Sequence, residues 1–258
     1  MLFLCRAHYN DLMKAALYLI PVTLGDNSEF ELEKSLPPYN AQIIKEIKHF
    51  VVENIRSARR FLVRVSKEIN IDSLTFFELN EHTDLRQVQG FLEPIFSQNY
   101  PVGVISEAGC PAVADPGRAA VSIAHKKNVP VFPLVGPSSI LLSVMASGFS
   151  GQSFAFCGYL PVKNAERVNR LRQLENRAWN EKQTQVFIEA PYRNLQLFEA
   201  ILKNCRKDTL LCVASGLTTQ TEFIKSMSLA EWKKLPPPNI QKIPTIFVLG
   251  SPEMWSAA

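Results

Sequence analysis

The sequence has no Cys-x-x-Cys pair: its five cysteines (Cys5, Cys110, Cys157, Cys205, Cys212) are scattered, and its four histidines (His8, His49, His82, His125) stand alone. That spacing disfavours both a metal-ligand set and a disulfide framework, so no metal is expected and the thiols are read as reduced and mostly buried. Neither a Gly-x-Gly-x-x-Gly fingerprint nor a P-loop is present, which removes the usual dinucleotide and nucleoside triphosphate cradles. No apolar run approaches the length of a membrane span. The stretch Met1 to Leu12 carries Arg6, His8, Asn10 and Asp11 among short apolar pieces, without the long apolar centre or cleavage site of a signal peptide. A cytoplasmic protein with no membrane partner is the expectation.

What is present suits a soluble globular chain: 47% hydrophobic and 20% charged residues over 258 positions. That length makes one large or two modest domains. The formal charge of +4 is uneven. Residues 1–150 hold 14 Lys and Arg against 15 Asp and Glu, whereas 151–258 hold 14 against 9. The second half therefore suits either an anionic partner or simply a basic solvated surface.

Strands and helices alternate through the first half. Leu17 to Val22 reads as a buried strand, followed by a polar loop from Thr23 to Asn27. Asn40 to Lys48 reads as a helix capped by Asn40, with Ile43, Ile44 and Ile47 on its apolar face. Phe50 to Val52 is a strand, Ser57 to Lys67 a helix, Leu74 to Leu79 a strand, Leu85 to Phe96 a helix and Val102 to Ile105 a fourth strand. A helix ending at Val121 to Lys127, a strand at Val131 to Val135 and a helix at Ile140 to Ala146 complete the half. Such alternation predicts a mostly parallel sheet. After Gly148 the composition shifts. Strands at Ser153 to Leu160, Gln185 to Ile188, Leu210 to Val213, Glu222 to Lys225 and Ile246 to Leu249 outnumber the helices at Lys163 to Trp179 and Leu195 to Cys205, predicting a mixed sheet. The expected organisation is a disordered extension at 1–12, an N-terminal α/β domain at 13–150 and a C-terminal α/β domain at 151–258.

Gly103 to Gly117, GVISEAGCPAVADPG, is a strand running into a Gly/Pro-rich loop and then a helix, with Asp115 and Pro116 suited to the helix start. A loop of this kind lies at the carboxyl edge of an open α/β sheet, where ligands bind, although Gly and Pro also mark ordinary connectors. Gly136-Pro137-Ser138-Ser139 repeats the form. Neither Gly103 to Gly117 nor Val131 to Gly148 contains Lys or Arg. A polyphosphate is therefore disfavoured, and a neutral or cationic ligand favoured.

ISEAGCPAVADPG, PLVGPSSILLSVMASGF, FAFCGYLPVKNAERVNRL and QVFIEAPYRNLQLFEAIL occur in the order and spacing of the tetrapyrrole methylase superfamily. The chain most closely resembles its ribosomal RNA small-subunit methyltransferase I branch, from about Leu17 to Leu249. The resemblance implies a two-domain, tetrapyrrole-methylase-like homodimer that binds S-adenosylmethionine in a cleft between the domains and methylates a cytidine 2′-hydroxyl of ribosomal RNA or the small subunit. Carried over residue by residue, the cofactor contacts it implies are Leu24, Cys110, Val113, Ser138 and Ser139, with Ile188, Ala214 and Pro244 as looser matches. Ala214 reads equally as a core residue.

Departures from the branch are visible. Leu24-Gly25-Asp26-Asn27 replaces a Gly-Asn-Leu-Glu-Asp-like loop, Glu53-Asn54-Ile55-Arg56 replaces Glu-Asp-Thr-Arg, and Pro191-Tyr192-Arg193 replaces Pro-His-Arg. Ser215-Gly216-Leu217-Thr218-Thr219 lacks the acid and lysine of Glu-Leu-Thr-Lys, although Glu222 follows. Methyl transfer from a sulfonium depends chiefly on orientation, with a base for the acceptor proton as an addition. Glu107 and Glu53 are the candidate catalytic carboxylates, or else caps and ion-pair partners. Arg56 and Arg193 are placed to hold a phosphate or to fix these acids. Two basic helix faces, Arg56, Arg59, Arg60 and Arg64, then Lys163, Arg167, Arg170 and Arg177, could track an RNA backbone or be plain solvated faces. Phe156 and Tyr159 nearby are read as base-stacking platforms or core. A methylase of a small tetrapyrrole-like or other metabolite, and a non-catalytic S-adenosylmethionine sensor, remain as alternatives.

Overall fold

The computed structural model describes residues 15–25 and 29–256. The extension expected at 1–12, like Asp26 and Asn27, lies outside the described residues. The chain divides into two compact units, Met1–Pro137 and Ser138–Ala258.

In the first unit the described elements are β1 (Leu17–Ile20), α1 (Glu29–Ser35), α2 (Pro38–Glu46), β2 (His49–Val52), α3 (Ile55–Val65), a 3-10 turn at Ile71–Ser73, β3 (Thr75–Glu78), α4 (Val88–Phe91), α5 (Glu93–Gln98), β4 (Val102–Ile105), α6 (Arg118–Lys126) and β5 (Val131–Pro133). The sheet has the order β3-β2-β4-β1-β5 and is parallel throughout. Alternating side chains feed two cores, as the period-2 geometry of a strand requires. Tyr18, Ile20, Phe50 and Val52 meet α2 and α3 through Ile43, Ile44, Phe61 and Leu62. Leu17, Val51, Val102 and Val104 meet Val88 and Leu92 of the α4–α5 segment and Ala120 and Ala124 of α6. Gly103 carries no side chain because its face is already filled: a Cβ there would lie 2.7 Å from Ile20 and 2.9 Å from Phe50.

Three local expectations are corrected by the structure. The expected helix at Leu85 to Phe96 is two short ones that meet at Leu92, since Pro94 has no N–H with which to continue the first. Asn40 is not a cap. Pro38 opens α2, and buried Asn40 inside it donates its side-chain amide to the Val135 carbonyl at 2.8 Å. Helix α3 starts two residues ahead of the expected Ser57, because the Asn54 side chain accepts the N–H groups of Arg56 and Ser57 at 2.9 and 3.2 Å.

The second unit contains α7 (Ser139–Ser147), β6 (Phe154–Tyr159), α8 (Asn164–Asn180), β7 (Thr184–Ile188), a 3-10 turn at Pro191–Arg193, α9 (Asn194–Asn204), β8 (Leu210–Ser215), β9 (Phe223–Ser228), α10 (Leu229–Trp232), β10 (Thr245–Gly250) and α11 (Glu253–Ser256). Its sheet, β6-β7-β10-β8-β9, is mixed: β6 and β7 are parallel, and the remaining neighbours are antiparallel. Leu171, Leu174, Phe187, Leu197, Phe198, Trp232 and Phe247 are central in its core. Sequence composition places the domain boundary at 150, whereas the compact units divide at Pro137. Helix α7 accounts for the difference, as it packs on β8, β9 and β10, and the Ser226 hydroxyl donates to the Ser147 carbonyl at 2.8 Å.

Candidate functional site

The chain leaves β1 toward β2 by way of α2 on one face of the first sheet, and leaves β4 toward β5 by way of α6 on the other. The loops after these neighbouring strands diverge, the arrangement that opens a crevice at the carboxyl ends of the strands, where ligands bind in open α/β sheets. Beyond the strand ends the two loops touch once more: the Val22 N–H donates to the Gly109 carbonyl at 2.9 Å.

Gly109 adopts φ +70°, and a Cβ on it would lie 3.0 Å from Leu24 and 3.2 Å from the Pro137 carbonyl oxygen. The residue must be glycine for these three loop segments to approach so closely. Next to it, the half-buried Cys110 thiol faces the Pro137 carbonyl at 3.4 Å, and burial pushes its pKa up. Ala112 and Ala114 take left-handed φ values of 66° and 56°. The carboxylate of Asp115 holds this turn, accepting from the N–H groups of Ala112 at 3.0 Å and Gly117 at 2.6 Å. Helix α6 begins only at Arg118, so Asp115 shapes the loop instead of capping the helix. Val113, on the same turn, is 51% exposed. In the second unit, Ser138 is the cap of α7, accepting the Leu141 N–H, and Ser139 is its first residue.

On the α3 side lies a cavity of about 280 Å³. Val22 to Gly25, Ser57, Arg60, Arg64, Ser106 and Glu107 are among its lining residues. The Ser57 hydroxyl donates to Glu107 Oε1. Glu53, at the end of β2, lines a separate small crevice with Asp115. Its carboxyl pKa is raised by burial first, then by the charges of Asp115 and Glu107, while the Glu107 N–H acts in the opposite sense. Asp115 is also raised, again through burial. Arg56 is exposed on the first turn of α3.

In the second unit, Ile188 and Ala214 both stand level with Ile246 across three adjacent strands. Ala214 is fully buried, so its side chain belongs to the core, while Pro244 is exposed two residues before Ile246. Gly216 donates its N–H to the Pro244 carbonyl at 2.9 Å. In the 215–219 segment, which lacks the acid of the resembling branch, Glu222 reaches back to accept the Thr218 N–H at 2.7 Å.

The basic stripe expected on α8 is broken. Lys163 is exposed and pairs with Glu166 at 3.6 Å, but Arg167 is only 4% exposed and turned into the protein, where it meets Asn164 at 3.4 Å. On α3, Arg56, Arg59 and Arg60 are exposed and Arg64 is partly buried, and Arg59 is engaged by Asp72 at 2.8 Å.

Arg193 is tied to the buried Glu189. Its Nε and Nη2 donate to Glu189 Oε1 at 3.0 and 2.6 Å, and the Ala190 N–H donates to the same oxygen at 2.7 Å. Sequence reasoning missed Glu189, the Ser57–Glu107 pair and the cavity role of Arg60 and Arg64. A carboxylate directly after the apolar strand β7 was the available signal for the first. The others need the register of β2 against β4, which spacing does not supply.

No family model matches the chain. Among curated proteins it is similar to the ribosomal RNA small subunit methyltransferase I of Vibrio cholerae, 27% identical over 215 residues that span 83% of this chain and 69% of the relative. The protein of the same name from Micromonospora olivasterospora is 29% identical over 206 residues, 80% of this chain and 60% of that one. Among solved structures the methyltransferase CobJ superposes with a TM-score of 0.61 at 16% identity, covering 92% of this chain and 94% of that one. Diphthine synthase gives 0.59 at 17%, covering 91% and 89%. The parallel and mixed sheets, with loops diverging at the β1/β4 edge, are those of a tetrapyrrole-methylase-like α/β fold. The chain is an S-adenosylmethionine-dependent methyltransferase, similar in fold to the methyltransferase CobJ and to diphthine synthase.

The residues at the edge fit that donor. Leu24, Cys110 and Val113 are apolar, and neither 103–117 nor 131–148 holds Lys or Arg, which suits a sulfonium and an uncharged nucleoside.

Proposed function

We propose that the chain methylates a ribose 2′-hydroxyl, that of a cytidine, in small-subunit ribosomal RNA. The observation that carries this reading is the cavity beside the donor edge, where the cations Arg60 and Arg64 share the lining with the Ser57–Glu107 pair. Cations beside a carboxylate suit a nucleotide, with its phosphate and its hydroxyl, better than a neutral metabolite. Support comes also from the relatives, which carry the name of a ribosomal RNA methyltransferase. A tetrapyrrole acceptor would instead require a large apolar pocket, and exposed Arg60 and Glu107 line this one.

Leu24, Cys110 and Val113 would hold the donor on the first unit. Ser138, Ser139, Ile188, Pro244 and, by its backbone, Ala214 are the proposed contacts of the second. The donor supplies an activated methyl group when bound, so the protein's part is orientation and removal of the acceptor proton. Between the candidate bases, Glu107 takes that role: it is exposed, lines the cavity and is oriented by Ser57. Glu53 lies in the other crevice and is a positioning residue, accepting the Glu107 N–H. Arg56, with Arg60 and Arg64, binds the RNA backbone on the first unit, and Lys163 and Arg193 are the proposed RNA contacts of the second.

Incubation with methyl-labelled S-adenosylmethionine and unmethylated small ribosomal subunits tests the reading. Label is expected at a ribose 2′-oxygen, and RNA left unlabelled would overturn it. Turnover on any acceptor excludes a sensor role. We further propose a homodimer, supported by Leu141 and Met145, exposed one turn apart on α7; sedimentation velocity reads the mass directly. Among the described residues no helix is long and apolar enough to cross a membrane. A cytoplasmic location is proposed, as the ribosomal acceptor requires.

A further inference from the structure

Strands β6 and β7 run parallel in register until Phe156, after which the pairing shifts so that Tyr159 stands opposite Ile188. Within the shift, Gly158 takes φ +63°. A buried-strand pattern would have kept the next aromatic partly covered, but here Tyr159 is 64% exposed. Directly after β7, the 3-10 turn at Pro191–Arg193 puts out a second ring, Tyr192, which is 61% exposed. One exposed ring is ordinary, whereas exposed apolar side chains gathered at one place mark binding surfaces.

The mounting of Tyr192 is rigid. The Pro191 carbonyl accepts the Lys242 N–H at 2.9 Å, and the Tyr192 carbonyl accepts from the Gln241 side chain at 2.6 Å. Arg193 places its guanidinium carbon 5.0 Å from the Tyr192 ring centroid and donates Nη1 to the Tyr192 hydroxyl at 2.9 Å. The guanidinium is itself fixed through two bonds to Glu189 Oε1, and Glu189 is wholly buried behind it. Tyr159 ends β6 opposite Ile188, so both rings lie at the carboxyl ends of these parallel neighbouring strands. Two open rings thus stand at one end of the sheet, one of them against an immobilised cation.

We propose that Tyr192, with Arg193 against its ring, and Tyr159 form a stacking site for an unpaired nucleobase of the RNA acceptor. This rests on the ribosomal RNA reading and adds to it the element that engages the base. An aromatic face backed by a guanidinium is a general nucleobase platform, since every base has a π-face and every nucleotide a phosphate. The charge also agrees: residues 151–258 hold 14 Lys and Arg against 9 Asp and Glu. A neutral protein partner would gain from the rings but not from the cation.

The test uses the full-length protein and a single-stranded RNA carrying 2-aminopurine, whose fluorescence is quenched when the base stacks. Wild type is expected to bind and quench. Tyr192→Ala and Tyr159→Ala should each weaken binding by roughly 5- to 100-fold and abolish or reduce quenching. Tyr192→Phe should retain both, because the ring and not the hydroxyl does the stacking. Unchanged S-adenosylmethionine affinity certifies the fold of each variant. If wild type labels small subunits and binds the RNA, yet the alanine variants match it in affinity and quenching, the stacking site is overturned and the RNA reading stands. If wild type neither labels subunits nor binds RNA, both fall. Altered sedimentation of the alanine variants with quenching intact would likewise overturn the site, and mark a protein contact.

Discussion

The Ser57 hydroxyl donates to Glu107 Oε1, joining the first turn of α3 to the loop after β4 across 50 residues of chain. Glu107 gains a fixed orientation from it while staying exposed in the cavity. A general base contributes roughly 10² to 10⁴ in rate, so Glu107→Gln should lower kcat by about 100-fold or more and leave S-adenosylmethionine affinity unchanged. Ser57→Ala, which only frees the carboxylate to wander, should cost about tenfold. Single-turnover labelling of small subunits measures both.

Glu53 titrates in the opposite sense to a stabilising carboxylate. Its folded pKa is raised by burial and by the charges of Asp115, Glu107 and Glu81, so the fold binds the proton more tightly than the unfolded chain does. Below the ordinary carboxylate range the group does no harm. As pH rises through its folded value, ionisation withdraws stability. Glu53→Gln should therefore raise the melting temperature at pH 7 by about 2 °C, with the gain vanishing near pH 4. A gain that persists in acid would contradict this origin.

Asp115 governs two alanines in left-handed geometry. Asp115→Ala removes the acceptor for the Ala112 and Gly117 N–H groups, and about 1 to 2 kcal/mol of stability should go with it. Since Val113 lies between those alanines, S-adenosylmethionine affinity should fall as well. Asp115→Asn keeps the accepting oxygen and should preserve both properties. Thermal melts and calorimetric titration separate the two effects.

Val113 tests the donor wall directly. Being half exposed, it can be replaced with little loss of stability, and Val113→Arg sets a cation against a sulfonium. Affinity for S-adenosylmethionine should drop by at least about tenfold, whereas affinity for the demethylated product, whose sulfur carries no charge, should drop less. Equal losses for both ligands would point to steric blockage alone.

Gly103→Ala probes the sheet under the site. The new methyl group would meet Ile20 and Phe50 inside 3 Å, an overpacking that should cost about 2 kcal/mol. Urea denaturation reads it.

The alternation of strands and helices was legible because each β-run in the first unit is apolar and each helix carries an apolar stripe, so both sheets and their hydrogen-bonding character followed from periodicity. Boundaries slipped where one side chain decides: Asn54 moves α3 forward, and Pro94 splits a helix that its neighbours would continue. The Gly103 to Gly117 loop was readable as a sheet-edge loop from its Gly and Pro residues. What it holds was not, because Ser57 and Glu107 meet only through the pairing of β2 with β4. Arg167 shows the reverse error. Its helical spacing puts it on a basic stripe, yet the angular difference from Lys163 and Arg177 is enough to bury it beside Leu171 and Leu174.

The Val22–Gly109 hydrogen bond makes one body of the two loops that serve the site. Leu24 belongs at once to the proposed donor wall and to the lining of the cavity proposed for the acceptor. Ligands that share a wall share free energy, and the sharing is reciprocal: whatever factor the donor lends to RNA binding, RNA must return to the donor.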